Sequence, residues 1–266
     1  MKYKISEVSK ITGIPIDSIR YYVKNGIVSP EKIGSYAYFE AWDINYLLDY
    51  KKYRDLGMGL EDIKNIFQKD NSSTLLNRFY DLQKEYEFKE KYYHYLSIKN
   101  KRYISRTQDI SKYVNHYIET TMPKFYCLPH RRNHKYIINE ENHDMIKFFR
   151  KMNSFLEGIV VFDYDNVMST EPEDDYNWFL GIEKDFATPF MHEEENIMQI
   201  GGGKALYTVI VAYGEGTFSV NSLKKALEYV KKSNYIITDD IVGILLSKVH
   251  EENEFIRYIG MWIPVK

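Results

Sequence analysis

Residues 74–106 lie within the longest stretch of this 266-residue chain, residues 60–122, that contains neither proline nor glycine. Apolar and aromatic side chains recur along it in alternating steps of four and three residues, at Leu75, Phe79, Leu82, Tyr86, Tyr93, Leu96 and Tyr103. That spacing is typical of a coiled-coil seam, and the polar Lys89 and Asn100 within it are residues of the kind that fix register. We therefore predict a long helix that dimerises through this seam. The alternative is a long surface helix packed on its own domain.

A helix of this kind divides the chain into three parts. We predict a first domain over residues 1–70, a dimerisation helix with its linker over 71–119, and a third domain over 120–266. The third part carries 22 acidic and 16 basic side chains, so it favours a cationic partner over DNA.

Two short helices are predicted near the amino terminus, Ser6 to Ile11 and a second that follows Pro15 and stops at Asn25-Gly26. In the second helix, Ile16, Ile19 and Val23 share an inward face. The outward side chains offer a hydroxyl, a guanidinium, a phenol and an ammonium, which suit phosphates and base edges. They belong to Ser18, Arg20, Tyr21 and Lys24. The pair is typical of a helix-turn-helix motif.

The following residues predict the rest of a winged helix domain. Gly34-Ser35 lies between two short β-prone runs and indicates a hairpin wing. Helices are expected from Trp42 to Leu56 and from Leu60 to Phe67.

Four motifs in this order resemble the MerR family of transcription regulators. They are residues 5–13 (ISEVSKITG), 19–22 (IRYY), 26–30 (GIVSP), and 53–57 (YRDLG) with 60–63 (LEDI). The resemblance implies that Ser18, Arg20 and Tyr21 contact DNA, that Arg54 and the wing add phosphate contacts, and that the long helices pair in an antiparallel coiled coil. The family's wing arginine is replaced by Ala37, so Lys32 or Tyr36 would have to supply the missing contact.

Beyond residue 118, where the helical character is expected to end, the pattern changes to strands. We predict strands at 125–128, 136–138, 158–164 and 177–182 with a helix at 144–155, and then strands at 204–213, 241–247 and 255–265 with a helix at 220–232. These are two βαββ units in one antiparallel sheet. The predicted fold class of the whole chain is α+β.

Residues 203–207 (GKALY), 214–216 (GEG), 223–229 and the final 262–266 (WIPVK) resemble the GyrI-like effector-binding domain. Joined to a MerR-like head, this implies the multidrug-responsive branch, whose members bind hydrophobic, cationic compounds in an aromatic pocket with an acid. The candidate rings, all expected on strands, are Tyr164, Trp178, Tyr207, Tyr213, Tyr258 and Trp262. The usual position of the acid is occupied by Gly260, which is expected to open space for a larger ligand, and Glu183 is the substitute that we propose.

Other chemistries find little support in the residues. Cys127 is the single cysteine, which argues against disulfides and thiolate metal sites. His130 and His134 enclose two arginines where a zinc hydrolase would carry its glutamate, and Gly201 to Lys204 lacks phosphate-loop spacing. We expect no metal, no cofactor and no catalytic residues. No secretory signal or membrane anchor is predicted, so we expect a cytoplasmic protein.

The sequence therefore predicts a homodimeric transcription regulator that binds double-stranded promoter DNA. It would act on RNA polymerase indirectly, by distorting the promoter when a hydrophobic small molecule occupies the aromatic pocket. One alternative is a regulator whose last domain binds a neutral metabolite or a protein. Another is a GyrI-like hydrolase.

Overall fold

The computed structural model describes residues 1–133, 135–137, 143–191, 197–214, 219–251 and 254–266. Contacts between Cα atoms divide the chain into two units, Met1–Lys91 and Tyr92–Lys266. Across the described ranges, we find no helix that combines the length and the apolar character needed to cross a membrane. The α+β fold class predicted from the sequence is confirmed.

The first unit contains a helix-turn-helix, a wing and two further helices. Its elements are β1 (Tyr3–Lys4), α1 (Ile5–Thr12), α2 (Ile16–Lys24), β2 (Glu31–Ile33), β3 (Tyr36–Phe39), α3 (Ala41–Asp55) and α4 (Leu60–Gln68). Strands β2 and β3 pair antiparallel around Gly34, whose positive φ of 63° suits the hairpin turn. The predicted wing is therefore confirmed.

One core holds these helices together. Val8, Ile19, Phe39, Leu47 and Ile63 are fully buried in it. Because Ile19 is on α2, this burial fixes which side of the second helix faces outward.

The long helix α5 (Ser72–Gln108) runs through both units. It begins and ends within two residues of the predicted 74–106. In the first unit Arg78 forms ion pairs with Asp62 and Asp70, which attach the start of α5 to the helical domain.

The second unit contains a sheet with helices and short connecting segments. Its elements are α6 (Ile110–Tyr113), β4 (Ile118–Thr121), β5 (Lys124–Arg132), β6 (Lys135–Tyr136), α7 (His143–Lys151), β7 (Glu157–Phe162), α8 (Tyr164–Met168), β8 (Asn177–Glu183), α9 (Lys184–Ala187), β9 (Gln199–Gly201), β10 (Lys204–Tyr213), α10 (Lys224–Lys232), β11 (Ile241–Glu251) and β12 (Glu254–Pro264). The nine-stranded sheet has the order β4-β10-β12-β11-β7-β8-β5-β6, and β9 pairs with β5.

Two βαββ units form this sheet, as the sequence predicts. The first half is β5-α7-β7-β8 and the second is β10-α10-β11-β12. The halves join where β7 and β11 pair antiparallel, with Val160 opposite Gly243. The sheet is therefore continuous across the duplication.

The two faces of the sheet differ in what covers them. Helices α7 and α10 both pack on one face, which we call the helix face; Phe149 and Val230 are buried there. Residues on the other face follow from the register, because directly opposed residues of paired strands point to the same side. Tyr207 opposes Trp262, and Trp262 opposes Val242. We call this second side the cavity face.

Three sequence-based expectations need correction or fall outside the structure. Residues 118–121, expected to end a helix, form β4, because their backbone groups pair with β10. Tyr164, expected on a strand, begins the short helix α8. Ile138 of a predicted strand, and Glu215 and Gly216 of a quoted motif, lie outside the described residues.

Candidate functional site

The outward face of α2 carries the side chains predicted to contact DNA. Arg20 and Lys24 are exposed, Tyr21 is 52% exposed, and Ser18 is partly buried. Arg20 Nη1 donates to Asp17 at 2.9 Å, but both side chains are open to solvent, so this ion pair is weak and a phosphate could replace it.

A recess lies beside this helix. It has a volume of about 390 Å³ and is lined by Asp17, Ser18, Tyr21, Tyr22, Tyr50, Arg54 and Leu60. Arg54 Nη1 donates to the carbonyl of Met58 at 2.6 Å, which holds the guanidinium in place at the end of α3. The structure thus brings Arg54 to the same recess as Ser18 and Tyr21.

The wing places Lys32 where it could replace the missing arginine. Lys32 lies directly opposite Ala37 across the hairpin, so the two side chains share a face. Tyr36 is 65% exposed but opposes Ile33, on the other side. Ala37 itself packs against the core of the first unit. Lys32 is therefore better placed than Tyr36 to supply the phosphate contact that an arginine at position 37 would make.

The predicted seam residues of α5 have different surroundings in each unit. In the first unit, Leu82 packs against the core, Tyr86 donates to the carbonyl of Leu56, and Phe79 lies near the Tyr53 ring; Leu75 is partly buried. In the second unit, Leu96 packs against apolar residues of the helix face and Tyr103 donates to Glu157. Tyr93 is 63% exposed. Pairing with a second copy stays a prediction.

Two of the six predicted ligand rings meet on the cavity face. The ring centroids of Tyr207 and Trp262 are 5.1 Å apart, and Tyr113 on α6 lies 5.6 Å from Tyr207. Burial raises the pKa of Tyr207 to about 12, so its phenol stays protonated at neutral pH.

These rings border a cavity of about 220 Å³. The end of α5, the strand β4 and the two rings form its wall, with lining residues Ser105, Arg106, Asp109, Tyr113, Ile118, Thr120, Thr121, Pro123, Tyr207 and Trp262. The rings supply aromatic surface, and the charged groups are Arg106 on α5 and Asp109 directly after it. Such a mixture of rings with a few polar groups suits a small organic ligand.

Gly260 does not open the space that the sequence suggests. A Cβ atom at this position would lie 2.7 Å from Tyr207 Oη and 3.0 Å from Tyr207 Cε2. The tyrosine ring therefore fills the volume that a larger side chain would need. The expectation of extra room beside Trp262 is wrong, because it took no account of the neighbouring strand.

Glu183, the substitute acid, lies on the cavity face but is already paired. It is the last residue of β8 and is 8% exposed. Arg102 Nη1 bonds to its Oε1, and Arg106 Nη2 lies 3.5 Å from its Oε2. A cationic ligand would have to compete with both arginines for this carboxylate.

A second buried acid, Glu157, is paired in the same way. Lys99 Nζ lies 3.0 Å from its Oε1, and both side chains are less than 10% exposed. The Tyr103 hydroxyl donates to the same carboxylate at 2.9 Å. Burial lowers the pKa of Lys99, and Glu157 opposes this shift by favouring the ammonium. Burial and the Glu157 charge raise the pKa of Tyr103.

The other four candidate rings lie elsewhere. Tyr164 and Trp178 pack against the helix-face core, with Arg131 5.4 Å from the Trp178 ring. Tyr213 is 64% exposed at the end of β10, and Tyr258 donates to Glu251. None of the four lines the cavity described above.

Sequence reasoning missed the residues that α5 brings to the site. Lys99, Arg102 and Arg106 are spaced i, i+3 and i+7, so they form one basic stripe on the last turns of the helix. This spacing is visible in the sequence and could have indicated a basic face of the helix. It was overlooked because the heptad pattern assigned Tyr103, on the same turns, to a dimer seam.

Metal binding is not indicated in the described part of the chain, where no three His, Cys, Asp or Glu side chains are grouped to hold an ion. Cys127 is buried. His134, considered with His130 as a metal pair, lies outside the described residues.

Comparison with known proteins gives matches at the amino terminus. Residues 3–70 match the family model described as MerR HTH family regulatory protein. The HTH-type transcriptional regulator HmrR of Sinorhizobium medicae (strain WSM419) is 36% identical over 64 residues, which are 23% of this chain and 44% of that protein. The uncharacterized HTH-type transcriptional regulator YyaN of Bacillus subtilis (strain 168) is 37% identical over 70 residues, 26% of this chain and 50% of that protein. The chain thus matches half or less of the length of these curated relatives.

Among solved structures, the cryo-EM structure of an EcmrR-DNA complex in EcmrR-RPo aligns with 99% of this chain and 99% of its own. The sequence identity is 16% and the TM-score is 0.36.

Proposed function

We propose, on the premise that residues 3–70 form a MerR-family helix-turn-helix domain, that this chain is a ligand-responsive transcription regulator. It binds double-stranded promoter DNA as a homodimer in the cytoplasm. A hydrophobic small molecule in the cavity of the second unit changes how the dimer distorts the DNA, and RNA polymerase responds to that change.

The observation that carries the DNA-binding part is the exposed cationic and phenolic face of α2. Ile19 is fully buried beneath it, so Arg20, Tyr21 and Lys24 are fixed toward solvent on a short helix. Arg54 from α3, in the recess shared with Ser18 and Tyr21, and Lys32 from the wing add two further cations. Phosphate contacts by such side chains supply most of the affinity for DNA.

The dimer part of the proposal rests on the repeat along α5. Three seam residues at successive seven-residue steps, Phe79, Tyr86 and Tyr93, are 37%, 37% and 63% exposed. Aromatic side chains exposed in this way at one heptad position suit a second helix. Replacing Tyr93 with glutamate should therefore give monomers by light scattering, whereas Lys84→Glu, outside the seam, should leave dimers. A dimeric Tyr93→Glu variant would contradict this seam.

The ligand-binding part rests on the cavity at the end of α5. Tyr113, Tyr207 and Trp262 offer three ring surfaces, and the two βαββ halves agree with the GyrI-like resemblance of the sequence. Because Ser105 and Arg106 belong to the wall, a ligand there touches the last turn of α5. Binding could then change the equilibrium between two states of that helix, provided that the ligand prefers one of them.

The resemblance implies a hydrophobic, cationic effector, but Glu157 and Glu183 are both paired with cations of the protein. That observation favours the alternative in which the ligand is not a cation. The hydrolase alternative has no such support, because both carboxylates are held in ion pairs and neither is placed as an unpaired acid or base.

Footprinting on the promoter of its own gene tests the proposal. Wild-type protein should protect one pseudo-palindromic site. Arg20→Ala should bind that site more weakly, and the slope of log affinity against log salt should fall by about one, since one phosphate contact is lost. Lys84→Ala, which removes an exposed cation on α5, should keep the wild-type slope. Unchanged affinity of Arg20→Ala across the salt series would contradict the recognition-helix assignment.

A further inference from the structure

The cavity at the end of α5 is bordered by hydrogen-bond donors from three elements. Arg106 lies on α5, Tyr207 on β10, and the hydroxyls of Thr120 and Thr121 on β4. A guanidinium and a phenol are the strongest donors of this set. Because both donors border one cavity, they would bind a hydrogen-bond acceptor on a ligand.

Arg106 is held less tightly than the other cations of the site. Its Nη2 is 3.5 Å from Glu183 Oε2, at the long limit for a hydrogen bond, while Arg102 makes the shorter contact with the same carboxylate. A guanidinium has five N–H donors, and the side chain of Arg106 remains 23% exposed. It can therefore bind a second acceptor while Arg102 continues to neutralise Glu183.

Tyr207 is a donor that lacks an acceptor within the part of the chain that the structure describes. Its ring lies over the backbone of Gly260 and against Trp262, which fixes the direction of the hydroxyl. Burial raises the pKa of this phenol to about 12, so it remains a donor even at moderately alkaline pH. It is thus available to an acceptor on a ligand.

Negative charge in the site is largely compensated by the protein. Glu157 has Lys99, and Glu183 has both arginines. Asp109 also lines the cavity; the hydrogen bond with Tyr113 is the main reason why the pKa of the exposed Lys112 is raised, and Asp109 adds to it. At Glu157 and Glu183 a cationic ligand would therefore meet carboxylates that are already paired with lysine or arginine.

We propose that the cavity binds an aromatic carboxylate, with its ring among Tyr113, Tyr207 and Trp262 and its carboxylate on Arg106 and the Tyr207 hydroxyl. Charge-assisted bonds from arginine to a carboxylate are strong and directional. The volume of about 220 Å³ is below the roughly 300–1,000 Å³ of drug-sized sites, so the ligand has one or two rings. This inference rests on the ligand-binding role proposed above and specifies the charge of the ligand.

Three naphthalene probes of equal ring size and different charge test it. They are 2-naphthoate, 2-naphthamide and 2-naphthylmethylammonium, titrated calorimetrically into the full-length protein at neutral pH. We expect the dissociation constant of the naphthoate to be about tenfold below that of the amide, because one charge-assisted bond is gained. The ammonium compound should bind weakest.

A pair of variants locates the effect. Arg106→Gln should reduce the preference for naphthoate over naphthamide to near one. Lys101→Gln removes the same charge from an exposed position on the same helix and should keep the tenfold preference. Thermal unfolding of both variants, compared with wild type, distinguishes loss of binding from loss of folding.

Several results would overturn the proposal. Tightest binding of the ammonium compound, equal affinity for all three probes, or no measurable heat with any of them would each do so. So would an Arg106→Gln variant that folds normally and keeps the preference. Footprinting is independent of these titrations: naphthoate binding with no protected promoter site would support this inference and contradict the proposed function.

Discussion

The two βαββ halves of the second unit share a short pattern but use it differently. Residues 179–183 (FLGIE) on β8 and 258–262 (YIGMW) on β12 occupy corresponding strands, with a glycine at the centre of each. In the first half the glycine is followed two residues later by Glu183, which anchors Arg102 and Arg106. In the second half the same step leads to Trp262, which borders the cavity.

The difference shows how a duplicated fold can divide two tasks. The first half holds the end of α5 through the ion pairs of Glu157 and Glu183, and we call it the anchoring half. The second half supplies Tyr207 and Trp262 to the cavity in which we propose a ligand, and we call it the binding half. Both halves contact neighbouring parts of α5, because Arg106 touches Glu183 and also lines the cavity. We therefore expect changes in the anchoring half to lower mainly the stability, and changes in the binding half to lower mainly the affinity for a ligand. Four predictions test this expectation.

The largest effect should come from the buried ion pair of the anchoring half. Lys99→Met leaves Glu157 buried with only the Tyr103 hydroxyl, and breaking such a pair costs about 3–5 kcal/mol of unfolding free energy. Urea unfolding measures it. The double variant Lys99→Met/Glu157→Gln should recover a large part of the loss, and a single variant that loses under about 1 kcal/mol would contradict the anchoring role.

The two glycines should respond differently to alanine. At Gly181 a Cβ atom would lie 2.1 Å from Ile159 Cδ1 and 3.2 Å from Cys127 Sγ, both buried, so overpacking should cost about 1–3 kcal/mol. At Gly260 the obstacle is Tyr207, which can move into the cavity. Gly260→Ala should therefore lose less stability and more naphthoate affinity. Equal unfolding midpoints and equal affinities for the two variants would remove the distinction between the halves.

Alkaline pH should lower the contribution of Tyr207, in the binding half, to the free energy of unfolding. The folded-state pKa of Tyr207, about 12, exceeds its ordinary value near 10, so the unfolded chain releases this proton first. Stability is unaffected below pH 10 and falls as pH rises from 10 to 12. Between pH 9 and 11 wild type should lose about 1 kcal/mol more than Tyr207→Phe. Parallel pH profiles of the two proteins would contradict this environment for Tyr207.

The smallest expected losses of stability come from the two arginines that pair with Glu183, of which Arg102 is the more exposed. Arg102 is 36% exposed, so solvent screening limits Arg102→Gln to a loss of about 0.5–1 kcal/mol. Arg106→Gln should cost less, since its contact with Glu183 is longer. A larger loss for Arg106→Gln would reverse the roles assigned to the two arginines, and unfolding curves in low and high salt would show it.

Local sequence patterns were sufficient for most of the elements. Strand β10 was predicted with its observed bounds, and α2, the wing and α5 followed from periodicity and turn residues. These features depend on neighbours along the chain. The match of residues 3–70 to the MerR family model confirms that interpretation of the head.

Features that depend on distant partners were not predictable from the same patterns. Strand β4 is only four residues long, and although three of them are β-branched, its place in the sheet depends on pairing with β10, more than eighty residues later. The space at Gly260 depends on Tyr207, more than fifty residues earlier. Glu183 was predicted on a strand, where it lies, but its pairing required the position of α5, which periodicity along the helix does not supply.

Cys127 on β5 lies directly opposite Gly181 on β8. The rate at which its thiol reacts can therefore report how often the anchoring half opens. Burial raises the pKa of its thiol to about 12, so the reactive thiolate at pH 8 is about a thousandfold rarer than for an exposed cysteine. Modification by a thiol reagent therefore requires a transient separation of the strands around it. Since the chain has one cysteine, the labelling rate measures how often this half of the sheet opens, and whether a ligand in the other half slows that motion.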